Sequence, residues 1–136
     1  MIILSKSQFD EIVNHAKNQL PNEDCGLLGG IVKENKKFVK KLYFLTNVDA
    51  SPEHFSMAAE EQFAAVKDMR SNNLQLFGNF HSHPNSPARM SEEDKRLAFD
   101  KNLSYLILSL AESEPIIKSF RIDKDSQVEQ EELIIE

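Results

Sequence analysis

Cysteine is almost missing: Cys25 is the only one in 136 residues. No internal disulfide can form, and a reducing compartment is the natural home. Long apolar runs are missing too, and none approaches the roughly 20 residues needed to span a bilayer. The opening residues, MIILSKSQFDEI, carry no basic n-region and only three consecutive apolar residues after Met1. They read as a strand rather than a secretory signal, so the expected location is cytoplasmic with no membrane partner. Positive charge is in short supply: 16 Lys+Arg stand against 22 Asp+Glu, for a net charge of −6. With the basic residues scattered, a phosphate-backbone surface is excluded and no nucleic-acid partner is expected. No Gly/Ser-rich linker, repeat or low-complexity stretch divides the chain. What is present, 40% hydrophobic and 28% charged residues, is the balance of one folded domain spanning residues 1–136.

Residue periodicity sets the expected elements. Met1–Leu4 reads as a short buried strand. Ser7, with Asp10 three residues on, reads as the cap of a helix whose apolar residues are Phe9, Ile12, Val13, Ala16 and Leu20, ended by Pro21. Cys25–Val32 and Phe38–Val48 read as a strand pair, and His54–Met57 as a short strand. Ala59, Phe63, Val66 and Met69 share one face of a helix over Ala58–Arg70, acids leading and bases trailing. Leu74–His83 alternates like a strand closed by Pro84. A third helix is expected from Ser91 to about Lys101, then strands over Ser104–Ala111, Pro115–Asp123 and Gln127–Ile135. This order, strands with helices interspersed, argues for an α/β (α+β) domain with a mixed central sheet flanked by helices.

The segment HSHPNSPARMSEED, His81–Asp94, concentrates the chemistry. On a strand, His81 and His83 point to one face about 7 Å apart at Cα while Ser82 points away. Pro84 forces the chain out of the sheet, and the loop delivers Ser91 and Asp94 to a helix start. Two imidazoles and a carboxylate form a three-ligand zinc set with a fourth position left for water. The competing reading is plain: a chance H-x-H pair, and a Ser-led acidic triplet that only caps a helix. Cys25 reads as a small buried hydrophobe rather than a nucleophile, and His15 and His54 as surface residues. Glu23, taken alone, is an ordinary exposed loop acid.

The string His81-Ser82-His83-Pro84, six residues, Ser91, two residues, Asp94 resembles the H-[ST]-H-P-x6-S-x-x-D motif of the JAMM (JAB1/MPN/Mov34) zinc metalloproteases. The upstream PNEDCGLLGG is similar to the P-x-E-x-C-G-L-L-x-G segment of the small stand-alone prokaryotic members. The resemblance runs along nearly the whole chain and implies an MPN-type domain with a cytidine-deaminase-like fold. It also implies one zinc ion per chain, held by His81, His83 and Asp94. Glu23 then maps onto the general base and Ser91 onto the residue that stabilises the oxyanion. Some family members also carry an asparagine where Asn47 stands. The implied reaction is hydrolysis of an amide after the C-terminal Gly-Gly tail of a ubiquitin-like or sulfur-carrier protein. Three rivals stand beside it. A non-catalytic MPN scaffold typically loses motif residues that are all retained here. A zinc nucleoside deaminase needs H-x-E and P-C-x-x-C, which this sequence lacks. A nucleic-acid-associated relative conflicts with the charge. Substrate identity and the choice between monomer and homodimer stay open.

Overall fold

A computed structural model describes residues 1–136. Its elements are β1 Ile2–Leu4, α1 Lys6–Gln19, β2 Cys25–Lys33, β3 Lys36–Leu45, α2 Ala59–Ser71, β4 Gln75–His83, α3 Glu92–Leu97, β5 Ser104–Ser109, β6 Ile116–Ile122, β7 Val128–Glu131 and β8 Leu133–Ile135. The eight strands form one mixed sheet in the order β7-β6-β5-β4-β2-β3-β1-β8, an α+β architecture with three helices. β4 runs parallel to β5, and β1 runs parallel to both β3 and β8. No helix is long and apolar enough to cross a membrane.

The main core lies between α1 and the sheet. Ile12, Val13 and Ala16 of α1 pack with Leu28, Val39, Phe77, Phe80, Leu106 and Leu108. The helix begins two residues earlier than its cap pattern suggests. Ser5 Oγ accepts the Gln8 N–H and Gln8 Oε1 accepts the Ser5 N–H, a complete capping box. Ser7 and Asp10 fit the same template but lie inside the helix. On α2 the buried residues are Ala65 and Met69, packed with Cys25, Leu27 and Leu45. Small Ala65 lets the helix approach the sheet, and this rotation leaves Phe63 73% exposed, contrary to the expected apolar face.

Three further expectations are corrected. His54–Met57 forms no strand, only a single bridge between Asn47 and Met57. Helix α3 stops at Leu97, because the Tyr105 hydroxyl accepts the Asp100 N–H and donates to the Asp100 carbonyl, turning the chain early. The last expected strand, Gln127–Ile135, is two strands broken at Glu132. Residues 128–131 pair with β6 and residues 133–135 with β1, at opposite ends of the strand order. The sheet therefore curls until one residue joins its ends. Beside this junction, buried Glu131 accepts the Ser104 and Ser119 hydroxyls at 2.6 and 2.9 Å, and Lys37 Nζ donates to Ser104 Oγ at 2.7 Å.

Candidate metal centre

Strand alternation does what the sequence suggests: His81 and His83 lie on one side of β4, both almost wholly buried. Their Nε2 atoms are 3.1 Å apart. Asp94 Oδ2 lies 3.2 Å from His81 Nε2 and 3.1 Å from His83 Nε2. Helix α3 holds that carboxylate through its own cap, since Ser91 Oγ accepts the Asp94 N–H and Asp94 Oδ2 accepts the Ser91 N–H. The three donor atoms form a nearly equilateral triangle. Its edges are slightly shorter than the ~3.3 Å edge of a tetrahedron built on zinc bonds of 2.0–2.1 Å.

The proton count also favours a cation. His83 Nδ1 lies 2.8 Å from the Pro87 carbonyl, an acceptor, so the ring carries its proton there. Without an ion, the Nε2 atoms meet Asp94 Oδ2 by donating protons to it. Once those protons leave, two imidazole lone pairs and a carboxylate oxygen converge on one point, the arrangement a divalent ion requires. Burial pulls the His81 pKa down, against the pull of Asp94, which keeps the ring neutral and able to ligate. On His83, burial is outweighed by hydrogen bonds to Asp94 and Pro87, and the pKa rises. For Asp94, burial is outweighed by hydrogen bonds from His81 and His83, holding the carboxyl well below the usual range. A metal entering here displaces protons rather than competing with a full hydrogen-bond set. His81 is oriented by packing: its ring stacks on Phe55 at 4.5 Å, and its Nδ1 is buried with no partner.

Glu23 lies just before β2, whose antiparallel register sets Cys25 opposite His81. Two further steps of that register bring Glu23 beside His83. It is 5% exposed, not the surface acid that its local sequence suggests. Its N–H donates to the Ser51 carbonyl at 2.8 Å and its carbonyl accepts from Asn47 Nδ2 at 3.0 Å. No hydrogen bond from the chain reaches its carboxylate. Burial, helped by the charges of Asp94, Glu93 and Glu53 and opposed by His83, pushes its pKa up to about 8. Glu23, Glu53, His54, His83, Ser91 and Glu93 line a polar cleft of about 460 Å³. On the far side of His81 and Asp94, a smaller cavity of about 150 Å³ is walled mostly by apolar side chains, Phe55, Met57, Met90, Leu97 and Tyr105 among them.

The neighbouring residues are structural. Ser82 Oγ accepts the Asp24 N–H at 2.8 Å, on the face away from the ligands as alternation requires. His15 is half-buried, not a free surface residue: its Nδ1 is 2.6 Å from Asp24 Oδ2 and its ring stacks on Phe44. His54 is exposed and lies 2.5 Å from Glu93 Oε2, tying the loop before α2 to α3. Burial pushes the Cys25 thiol up to about 12, so it supplies no thiolate. Sequence reasoning overlooked Phe55, whose stacking on His81 has no signature in a loop, and the His15–Asp24 and His54–Glu93 pairs, which join distant segments.

Residues 5–123 match the family described as prokaryotic homologs of the JAB domain. The chain is 23% identical to the CysO-cysteine peptidase of Mycobacterium tuberculosis over 137 residues, covering 100% of this chain and 92% of that protein. It is 40% identical over 72 residues to the desampylase of Pyrococcus furiosus, covering 53% of this chain and 49% of that protein. Among solved structures, the solution structure of a Desulfitobacterium hafniense protein is 57% identical with a TM-score of 0.91, covering 100% of this chain and 93% of that one. The crystal structure of a JAB1/MPN domain protein from Archaeoglobus fulgidus is 26% identical with a TM-score of 0.65, covering 99% and 98%.

Proposed function

The chain belongs to the prokaryotic JAB-domain family, and from that premise we propose that it is a zinc-dependent peptidase. Its substrate is an amide bond following the C-terminal Gly-Gly tail of a ubiquitin-like or sulfur-carrier protein, cleaved in the cytoplasm. One observation carries the reading: a convergent His81–His83–Asp94 donor set lies beside a buried glutamate whose carboxylate has no donor of its own. The peptidase name of one relative and the desampylase name of another support the reaction class.

His81, His83 and Asp94 would hold the ion. When bound, zinc supplies Lewis-acid polarisation of the scissile carbonyl and makes water available as a nucleophile near neutral pH. Glu23 takes the proton from the attacking water and passes it to the leaving amine, one carboxylate serving as base and then acid. Its lack of internal donors leaves both oxygens free for that traffic. Ser91 Oγ uses a lone pair to cap α3, so its hydroxyl proton stays free to donate to the developing oxyanion, a contribution of ~3 kcal/mol for such donors. A Gly-Gly tail suits a close approach to these groups because it has no side chain to clash.

The test is cleavage of carrier proteins carrying an amide-linked extension after Gly-Gly, followed by mass spectrometry. The expected product is a carrier ending in Gly-Gly, with cleavage abolished by chelation and restored by zinc. Failure to cleave any such conjugate at full zinc occupancy, or cleavage indifferent to chelation, would overturn the proposal.

A further inference from the structure

Glu23 stands outside the β2 ladder, which begins at Cys25, so the register carries it to the level of His83 but no ladder hydrogen bond reaches its own N–H or carbonyl. The 46–58 loop between β3 and α2 supplies both partners. Ser51 supplies the carbonyl that accepts the Glu23 N–H, and Asn47 Nδ2 donates to the Glu23 carbonyl. The same Nδ2 donates to the His54 carbonyl at 2.9 Å, while Asn47 Oδ1 accepts the N–H groups of Asp49 and Ser56, each at 3.1 Å. All four hydrogen-bonding positions of one primary amide are thus used. Carbonyls on one side and N–H groups on the other fix which end is nitrogen. The two accepted bonds and the bond to His54 close the loop upon itself; the bond to the Glu23 carbonyl fastens the loop to the base.

From this geometry we infer that Asn47 is a positioning residue for the base: its side chain sets where the Glu23 carboxylate stands relative to His83 and Ser91. The inference rests on the peptidase reading. None of the three zinc ligands belongs to the loop, and a variant that keeps the Oδ1 bond to Ser56 keeps Phe55 against His81. Loss of the bond donated to Glu23 then displaces the base and leaves the donor triangle in place. Aspartate is the sharper substitution, because it keeps the two accepted bonds and sets an acceptor oxygen against the Glu23 and His54 carbonyls where the amide donated.

The experiment measures steady-state cleavage of a Gly-Gly carrier conjugate by zinc-loaded wild type, N47A, N47D, E23Q and the N47D/E23Q double variant. Zinc content and hydrogen exchange of the Glu23 amide are read alongside. For N47A and N47D, kcat should fall about 10–100-fold, the scale of a sub-ångström to 1 Å misplacement, with KM and zinc content unchanged. The Glu23 amide should exchange faster. Because Asn47 acts through Glu23, N47D should cost nothing further once the base is gone, so the E23Q and double-variant residual rates should match. An N47D enzyme with wild-type kcat, or an equal further loss in the E23Q background, would overturn the inference while the peptidase reading stands. An inactive wild type would overturn the peptidase reading and this inference with it. Should N47A not fold, N47D, whose loop keeps the bonds from Asp49 and Ser56, decides the matter.

Discussion

Two glutamates in this chain are equally hidden, Glu23 at 5% exposure and Glu131 at 8%, yet their surroundings push them in opposite directions. Glu131 accepts hydroxyls from Ser104 and Ser119 and has Lys37 nearby, and these outweigh its burial to hold its pKa below the usual glutamate value. Glu23 is held only by its main chain. With no donor on its carboxylate, burial dominates and the pKa climbs to about 8. The difference separates a fastener from a tool. A carboxylate whose lone pairs are filled by its own chain closes the sheet, where β7 meets β8. One left without donors beside three converging donor atoms faces the cleft, as a group proposed to take a proton from the attacking water must.

The contrast can be broken from either side. The largest effect is expected at the ligands: H83A should lose zinc by elemental analysis and show no measurable turnover, because two donors cannot replace three. A thermal melt of metal-free protein should show H83A folded, since the donor set is not what closes the sheet. Next comes the fastener. E131A should lower unfolding free energy by about 2–4 kcal/mol, the cost of leaving buried hydroxyls without their acceptor, while zinc content stays at one per chain. Denaturant titration with parallel metal analysis checks both halves.

The smallest effect is a pair of opposed pH slopes in metal-free protein. The folded pKa of Glu131 lies below its ordinary 4.5, so its stabilisation is present above pH 4.5 and lost as pH falls through the folded value. The folded pKa of Glu23 lies above 4.5, so its contribution is complete below pH 4.5 and lost as pH rises toward about 8. Melting temperatures should show E131Q flattening the acid side of the stability curve and E23Q flattening the side between pH 4.5 and 8. If both variants flattened the same side, the proposed asymmetry would be wrong.

The parts of the site that are local in sequence were legible there. Period-two alternation puts His81 and His83 together, and the Ser91 cap fixes Asp94 within one helical turn. Glu23 was not legible from its own neighbours, because its place beside His83 depends on the register between β2 and β4. Only the family resemblance singled it out, and the structure then gave the register as its physical basis. The fold shows the same division. Apart from His54–Met57, which forms only a bridge, strand and helix existence followed from periodicity, whereas α1 had two overlapping cap patterns, Ser5/Gln8 and Ser7/Asp10. The face of α2 turned on how closely Ala65 lets it approach β2. The break at Glu132 has no local marker either; it arises because residues 128–131 and 133–135 find partners at opposite ends of the sheet.

Glu23 is the residue on which the proposed chemistry most depends, and E23Q at matched zinc occupancy tests its role most directly. Glutamine preserves size and the main-chain tethers to Ser51 and Asn47 but cannot carry the proton. The expected result is one zinc per chain in both proteins, with cleavage of a Gly-Gly carrier conjugate by the wild type and no comparable cleavage by E23Q. Equal cleavage rates at equal zinc content would mean that Glu23 is not the base.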